Sequence, residues 1–200
     1  MRIIGITGGA GSGKSEVMKI LQNEYSAYII IADHVAKKLC EKGKESYLAI
    51  VNHFGPGICL ESGDINRKKL ADIVFNHGDQ LRILNSLTHP LVRKDIEAEI
   101  ASVKTSQKYP MIAIEAALLV EADYFDICDE FWYVYTSDET RRRRLCETRN
   151  YSNEKIDSIF NSQLPDEKFR QYCRHVIDNN QDIDHIREQL KILLKEDTNV

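Results

Sequence analysis

Five short runs dominated by β-branched and aromatic residues recur along the chain, separated by longer amphipathic stretches. The runs are Ile3-Ile4 with Ile6, Tyr28-Ile29-Ile30-Ile31-Ala32, Met111-Ile112-Ala113-Ile114, Phe131-Trp132-Tyr133-Val134-Tyr135 and His175-Val176-Ile177. They are nearly continuous in apolar character instead of alternating, which marks strands covered on both faces. The intervening stretches carry apolar residues at helical spacing. They predict helices over residues 13–24, 34–40, 46–53, 67–76, 79–108, 152–160 and 183–194, with a further one opening at Ser137. In the longest, Leu81, Leu84, Leu87 and Leu91 share a face that Ile96, Ile100 and Val103 continue. Pro90 either kinks that helix or begins a new one, because proline suits only a first turn. Pro165 breaks the run that starts at Ser152. Strands alternating with helices give an α/β chain with a parallel sheet and crossover connections.

Glycine sharpens this picture. All ten glycines fall at or before Gly78, so later turns must use Asn, Asp, Ser and Pro. Residues 43–108 contain Gly55-Pro56-Gly57 and Gly63-Asp64, the latter a signal for a hairpin or a tight turn, among short helical segments. No internal repeat or low-complexity linker divides the chain, so one continuous fold with a helical insertion is expected.

The densest glycine cluster lies directly after the first strand. Residues 8–15 read Gly-Gly-Ala-Gly-Ser-Gly-Lys-Ser and fit G-x-x-x-x-G-K-[ST], with a predicted strand before and a predicted helix after. Glycines allow successive backbone N–H groups to turn inward around an anion, and the following helix adds its N-terminal donors and the positive end of its dipole. Lys14 supplies a mobile charge to the β- and γ-phosphates, and the Ser15 hydroxyl can ligate magnesium. Asp33 follows the second strand and so sits at the ligand-binding edge of such a sheet. It could equally N-cap the helix over 34–40, and residue type alone leaves both readings open.

Arg141, Arg142, Arg143, Arg144 and Arg149 place five cations in nine residues. Most charge runs are solvated helix faces. Beside a triphosphate loop, arginines on a mobile segment can instead neutralise the transferring phosphoryl group. Successive helical residues point about 100° apart. Arg141 and Arg144 therefore share a face from which Arg142 and Arg143 turn away. Arg144 is the leading candidate, with Arg149 and Arg141 behind it.

Composition narrows the class. A net charge of −4 argues against general nucleic-acid binding. Cys40, Cys59, Cys128, Cys146 and Cys173 are scattered, odd in number and without a C-x-x-C pair, as expected of reduced intracellular thiols. No apolar run approaches the ~20 residues of a membrane span, and no signal peptide is expected before Ile3. A cytoplasmic protein is expected, with no membrane partner. A monomer is the default expectation, with oligomerisation left open.

Several stretches, in order, resemble the dephospho-coenzyme A kinase family. Residues 6–15 are similar to its opening, with Ala10 where isoleucine is usual. Ile31-Ala32-Asp33 resembles the end of its second strand, keeping the second of two aspartates. Phe54-Gly55 and the block Asn66-Arg67-Lys68-Lys69-Leu70-Ala71-Asp72-Ile73-Val74-Phe75 are similar to its substrate domain, and Thr88-His89-Pro90-Leu91-Val92-Arg93 to a further segment. Ala117-Leu118-Leu119-Val120-Glu121 resembles Pro-Leu-Leu-Phe-Glu with the proline lost. Gln163 and Val176-Ile177-Asp178-Asn179 complete the pattern. Among the departures, Arg141 replaces a common glutamine, Arg149 stands one residue late, Arg174 replaces an aspartate and Gln181 a frequent glycine.

The resemblance implies a P-loop NTPase core with a five-stranded parallel sheet, a helical substrate-binding insertion and a small helical lid. Residues 1–200 would form a single P-loop kinase fold. Within it, approximately 43–108 would be the acceptor-binding subdomain, approximately 137–172 the lid and the remainder the nucleotide-binding core. It implies transfer of the γ-phosphoryl of ATP, with Mg²⁺, to the ribose 3′-hydroxyl of dephospho-coenzyme A. Lys14, Asp33 and Arg144 are then the catalytic candidates, Asp33 as the base. ATP would be bound by Gly9, Ala10, Gly11, Ser12, Gly13, Lys14, Ser15 and Glu16, with Arg144, Arg149 and Asn179. Asp33, His89, Arg93 and Leu118 would contact the acceptor. Ser15, and Asp33 as a second ligand, would hold the metal, and Glu115 takes a position like that of a metal-site acid after a strand. A kinase of another small metabolite, such as a nucleoside monophosphate or a sugar acid, would share the loop and lid but not the insertion around His89-Pro90. A nucleotide switch fits less well, because the guanine motif Asn-Lys-x-Asp is absent.

Overall fold

The computed structural model describes residues 1–116 and 124–196. Its elements run β1 (Arg2–Thr7), α1 (Lys14–Tyr25), β2 (Tyr28–Ile31), α2 (Ala32–Leu39), α3 (Glu45–Phe54), α4 (Arg67–Asn76), α5 (Gly78–Ser106), β3 (Met111–Glu115), β4 (Glu130–Tyr135), α6 (Asp138–Arg149), α7 (Asn153–Asn161), α8 (Asp166–Tyr172), β5 (His175–Asp178) and α9 (Ile183–Glu196). The five expected strands form one sheet in the order β2-β3-β1-β4-β5. β1 is central and pairs in parallel with β3, Arg2 opposite Met111, and with β4, Ile4 opposite Glu130. Parallel neighbours need crossovers, which the helices supply.

The chain divides into two compact units, one of residues Met1–Ile30 and Ser106–Val200, the other of Ile31–Thr105. In the first, Ile4 and Ile6 of β1 and Trp132 and Val134 of β4 point to one face of the sheet. There they meet Val17, Met18 and Leu21 of α1 and Ile186 and Leu190 of α9, all buried. Alternate residues of β4, Tyr133 and Tyr135, point to the opposite face, where the Tyr133 ring stacks on Phe169 of α8 at 4.7 Å between centroids. In the second unit Ile50, Ile58, Leu70 and Val74 form a small core of their own. The Gly63-Asp64 signal is a tight turn: Leu60 N–H donates to Asp64 O at 2.8 Å beneath an antiparallel bridge between Cys59 and Ile65.

Two open alternatives are decided here and one expectation is corrected. α5 is a single helix that carries Pro90 inside it, with Val92, Ile96, Ile100 and Val103 as its buried stripe. Tertiary burial of that stripe overrides the proline's lost N–H. α2 begins at Ala32 with Ile31 at the cap, so Asp33 lies in the first turn and makes no capping bond. That removes the capping alternative for Asp33 and leaves its carboxylate exposed near a positive helix end. α8 was not expected after Pro165, although Pro165 followed by Asp166 and Glu167 is a fair helix start.

At the opposite edge of the sheet from the glycine loop, the buried Glu130 gathers several donors. Arg2 Nη2 and Trp132 Nε1 both donate to its Oε1, the latter at 2.8 Å, and Arg174 Nη1 donates to Oε2 at 3.1 Å. Arg174, a departure from the family pattern, thus has a carboxylate partner. Glu130→Ala would strand a buried indole N–H and remove the carboxylate that Arg2 and Arg174 share. The expected loss is about 2–3 kcal/mol in urea unfolding, below the figure for a wholly buried pair because Arg174 can turn to water. An unchanged midpoint would contradict this role.

Candidate active site

β1 ends at the buried Thr7, and the chain then turns through Gly8, Gly11 and Gly13, all with positive φ. Gly13, at φ 86°, caps α1 in the left-handed region, and a β-carbon there would collide with the Asn179 amide. Two constraints, conformation and close approach, thus converge on one glycine. Ser12 N–H donates to Gly9 O at 3.1 Å, so the loop closes on itself. α1 then presents its first N–H groups toward the loop's concavity, an arrangement that favours an anion.

Lys14 folds back across this loop. Its ammonium donates to Gly8 O at 2.9 Å and Gly9 O at 3.4 Å and lies 4.0 Å from the Glu115 carboxylate at the end of β3. A phosphate arriving in the loop meets a cation already held at its mouth. Ser15 is exposed on the first turn of α1, and Glu16 pairs with Lys19 at 2.7 Å.

The far side of the loop is fastened by residues distant in sequence. The Ser12 carbonyl accepts from Asn179 Nδ2 at 2.7 Å. Thr136 Oγ1 lies 2.9 Å from the same oxygen, 2.9 Å from Tyr135 O and 3.3 Å from Asn179 O, and its single proton can serve one of them at a time. Ser12, Thr136 and Asn179 are all buried. Arg144 Nη2 donates to Asn179 O at 3.0 Å, which brings α6 onto the same junction. Its Nη1 is buried without a hydrogen-bond partner among the described residues, beside Gly13. A buried guanidinium N–H left open at a phosphate loop calls for an anionic acceptor. Burial, and then Arg143, holds the Arg144 pKa below its ordinary range, so an incoming anion would relieve both.

The arginine cluster divides as helical spacing requires. Arg141 Nε donates to Ala10 O at 2.9 Å, and its guanidinium also meets Asp138, Gln163 and the Phe160 ring. Burial lowers its pKa, with Asp138 opposing. Arg142 turns to Asp157 and Asn153 of α7, Arg143 is exposed, and Arg149 is exposed at the end of α6. Ser137 caps α6, accepting from Thr140 N–H at 3.3 Å.

The remaining candidates are placed separately. Asp33 is exposed on α2, His89 lies on α5, where desolvation lowers its pKa, and Arg93 pairs with Glu97 at 2.9 Å. Leu118 lies outside the described residues. Among the described residues no cluster of three or more His, Cys, Asp or Glu could hold a metal. Single hard oxygens at Ser15 and Glu115 nonetheless fit magnesium, which keeps its waters and leans on substrate phosphates. No helix among the described residues is long and apolar enough to cross a membrane. Thr136 was missed from the sequence; it carries no motif, and only its position after β4 hints at the edge.

Because Asn179 is one of two side chains on the Ser12 carbonyl, Asn179→Ala should loosen the loop. We expect about 1–2 kcal/mol less stability in denaturant and faster amide exchange across residues 12–15. Unaltered exchange there would remove Asn179 from this role.

A family model described as "Dephospho-CoA kinase" matches residues 2–185. A dephospho-CoA kinase of Carboxydothermus hydrogenoformans is 38% identical over 193 residues, covering 96% of this chain and 93% of its own. A solved structure from Thermus thermophilus superposes with a TM-score of 0.82 at 27% identity, covering 98% of this chain and 97% of the other. The dephospho-CoA kinase of Campylobacter jejuni gives 0.71 at 23% identity with both chains fully covered, a likeness of fold. With the glycine loop, its lysine and the arginine helix in place, the chain belongs to the dephospho-CoA kinase family, P-loop kinases with ATP as co-substrate.

Proposed function

We propose that this kinase transfers the γ-phosphoryl group of ATP to the ribose 3′-hydroxyl of dephospho-coenzyme A, yielding coenzyme A. The carrying observation is the open, buried Nη1 of Arg144 beside a loop whose lysine is already positioned. Backbone N–H groups of residues 9–15 hold the triphosphate, with Glu16 and Arg149 near it and Asn179 on the adenine side. Lys14 follows charge onto the transferring group, and Arg144 neutralises it from α6. Ser15, with Asp33 as an alternative second ligand, would hold magnesium, which would supply positive charge to the phosphates. Asp33 accepts the proton of the attacking hydroxyl, which requires only hydrogen-bond reach in the closed complex. Residues 43–108 serve as the acceptor-binding subdomain, with His89, Arg93 and Leu118 on the acceptor side, and residues 137–172 as the lid. The five free cysteines support a cytoplasmic location. The partners are the two substrates, without nucleic acid or membrane.

Incubated with ATP, the protein should phosphorylate dephospho-coenzyme A and none of a panel of nucleoside monophosphates and sugar acids. Absence of 3′-phosphorylated product would refute the reading. Within that assay, Asp33→Asn should lower kcat by about 10²–10⁴-fold while ATP binding survives. Separately, Arg144→Ala should lower kcat at least about tenfold more than Arg142→Ala, because only Arg144 reaches the loop junction. The reverse ranking would assign the transferring charge to another face of α6.

A further inference from the structure

The carbonyls of Gly8, Gly9, Ala10 and Ser12 in the phosphate loop are held by different parts of the chain. Lys14 Nζ takes those of Gly8 and Gly9, and the strand-end side chains Asn179 and Thr136 take that of Ser12. Between them, the carbonyl of Ala10 accepts from Arg141 Nε at 2.9 Å. A trans peptide is planar, so the N–H of each residue points opposite to the carbonyl before it. Fixing Ser12 O therefore fixes the Gly13 N–H, and fixing Ala10 O fixes the Gly11 N–H. Both glycines have positive φ, 78° for Gly11 and 86° for Gly13, and a glycine has little conformational preference of its own to fall back on.

Arg141 is built to impose an orientation on the loop. Its guanidinium is fixed from three other directions. Nη1 donates to Asp138 at 2.9 Å, one turn earlier on α6, and Nη2 donates to Gln163, just beyond the end of α7. Its plane lies over the Phe160 ring of α7, 4.1 Å from the centroid. A rigid planar fork held at two ends and on one face leaves its Nε–H a single direction, and that direction ends on Ala10 O. The loop backbone can approach so closely because residue 9 is glycine: a β-carbon there would collide with the Arg141 guanidinium and with Gln163. Gly11 packs on α6 in the same way, and a β-carbon there would crowd Arg141 O and the Leu145 side chain. Arg141 is not itself a ligand for a phosphate. Each of its three side-chain nitrogens already donates within the protein, and Asp138 meets its charge, whereas Arg144 keeps an open Nη1.

We propose that Arg141 is a positioning residue for the donor nucleotide: it acts through the Ala10 carbonyl to hold the Gly11 N–H in the direction an incoming phosphate needs. The aim of that donor is then set by α6 and the end of α7, while the loop supplies only the peptide. Asn179 and Thr136 do the same for the Gly13 N–H from the strand ends, so two independent supports align two glycine amides. Removing the Arg141 support leaves Lys14 and Arg144 in place but frees one peptide to rotate. That costs affinity for the triphosphate before any chemistry begins. The inference rests on the loop holding ATP and does not depend on which hydroxyl receives the phosphoryl group.

Two variants test this. Arg141→Lys keeps a charge beside Asp138 and removes the Nε–H. Arg141→Ala removes the whole group and, because Arg141 lines a cavity of about 470 Å³, leaves room for a soluble replacement. Both are compared with wild type by thermal melting, by titration with a non-hydrolysable ATP analogue, and by amide hydrogen exchange across residues 9–13. The expected result is a Kd for the analogue raised at least about tenfold in both variants, with KM for dephospho-coenzyme A within about twofold of wild type. The Gly11 amide should exchange faster than in wild type and the Gly13 amide at the wild-type rate. Ethylguanidinium should return the Arg141→Ala Kd to within about threefold of wild type, and ethylammonium should not. A folded Arg141→Lys protein with the wild-type Kd, or equal rescue by the two cations, overturns the proposal, because charge alone would then suffice. Should Arg141→Ala fail to fold, Arg141→Lys decides the matter by itself. Wild-type protein that does not bind the analogue overturns the kinase reading as well.

Discussion

The carbonyl of Ser12 is the point on which the site depends. A loop built from glycines has little conformational preference of its own and loses much entropy when fixed. What fixes it here is a pair of buried side chains from the ends of β4 and β5, Thr136 and Asn179, converging on one backbone oxygen. Arg144 then reaches the carbonyl of Asn179, so the arginine helix is fastened to the same junction. Donor loop, two strand ends and α6 are thereby registered against one another through a few short hydrogen bonds in a buried setting, where each counts for more than at the surface.

The electrostatic arrangement follows from that registration. Lys14 is held by carbonyls and faces Glu115, while Arg144 offers a buried, unspent donor from the other side. Positive groups are thus placed before any phosphate arrives, and little reorganisation is left for the moment of transfer. Arg141, shielded against Phe160 and paired with Asp138, is spent on architecture. Four consecutive arginines therefore divide into three kinds of work, set by the 100° step of the helix.

How much of this could be read from residues alone depended on distance along the chain. The strand, loop and helix of residues 2–25 were legible because their rule is local: apolar run, glycine spacing, then lysine and a helix. Ser137 and Ser152 were similarly legible as helix starts, each accepting from the N–H three residues on. The Ser12 junction was not, since nothing in the neighbourhood of Thr136 signals a partner so far away. Asp33 shows the intermediate case. Its position after β2 was right, but the choice between cap and free carboxylate turned on where α2 begins, and a helix boundary is the least local-looking feature of a sequence. α8 was lost because seven residues offer too little periodicity to see.

The central position of β1 has a consequence for how the molecule comes into being. Both hydrogen-bonding neighbours of β1 come from the second half of the chain, Met111 opposite Arg2 and Glu130 opposite Ile4. The apolar face of α1 is closed by α9, the last element among the described residues. The residues of β1 are therefore secured only by segments far along the chain. The loop they carry cannot take its final shape until the ends of β4 and β5 are available. Such long-range closure slows folding relative to a helical bundle of similar size. A nucleotide, which engages only the finished loop, would stabilise the end of that process and leave its early steps untouched.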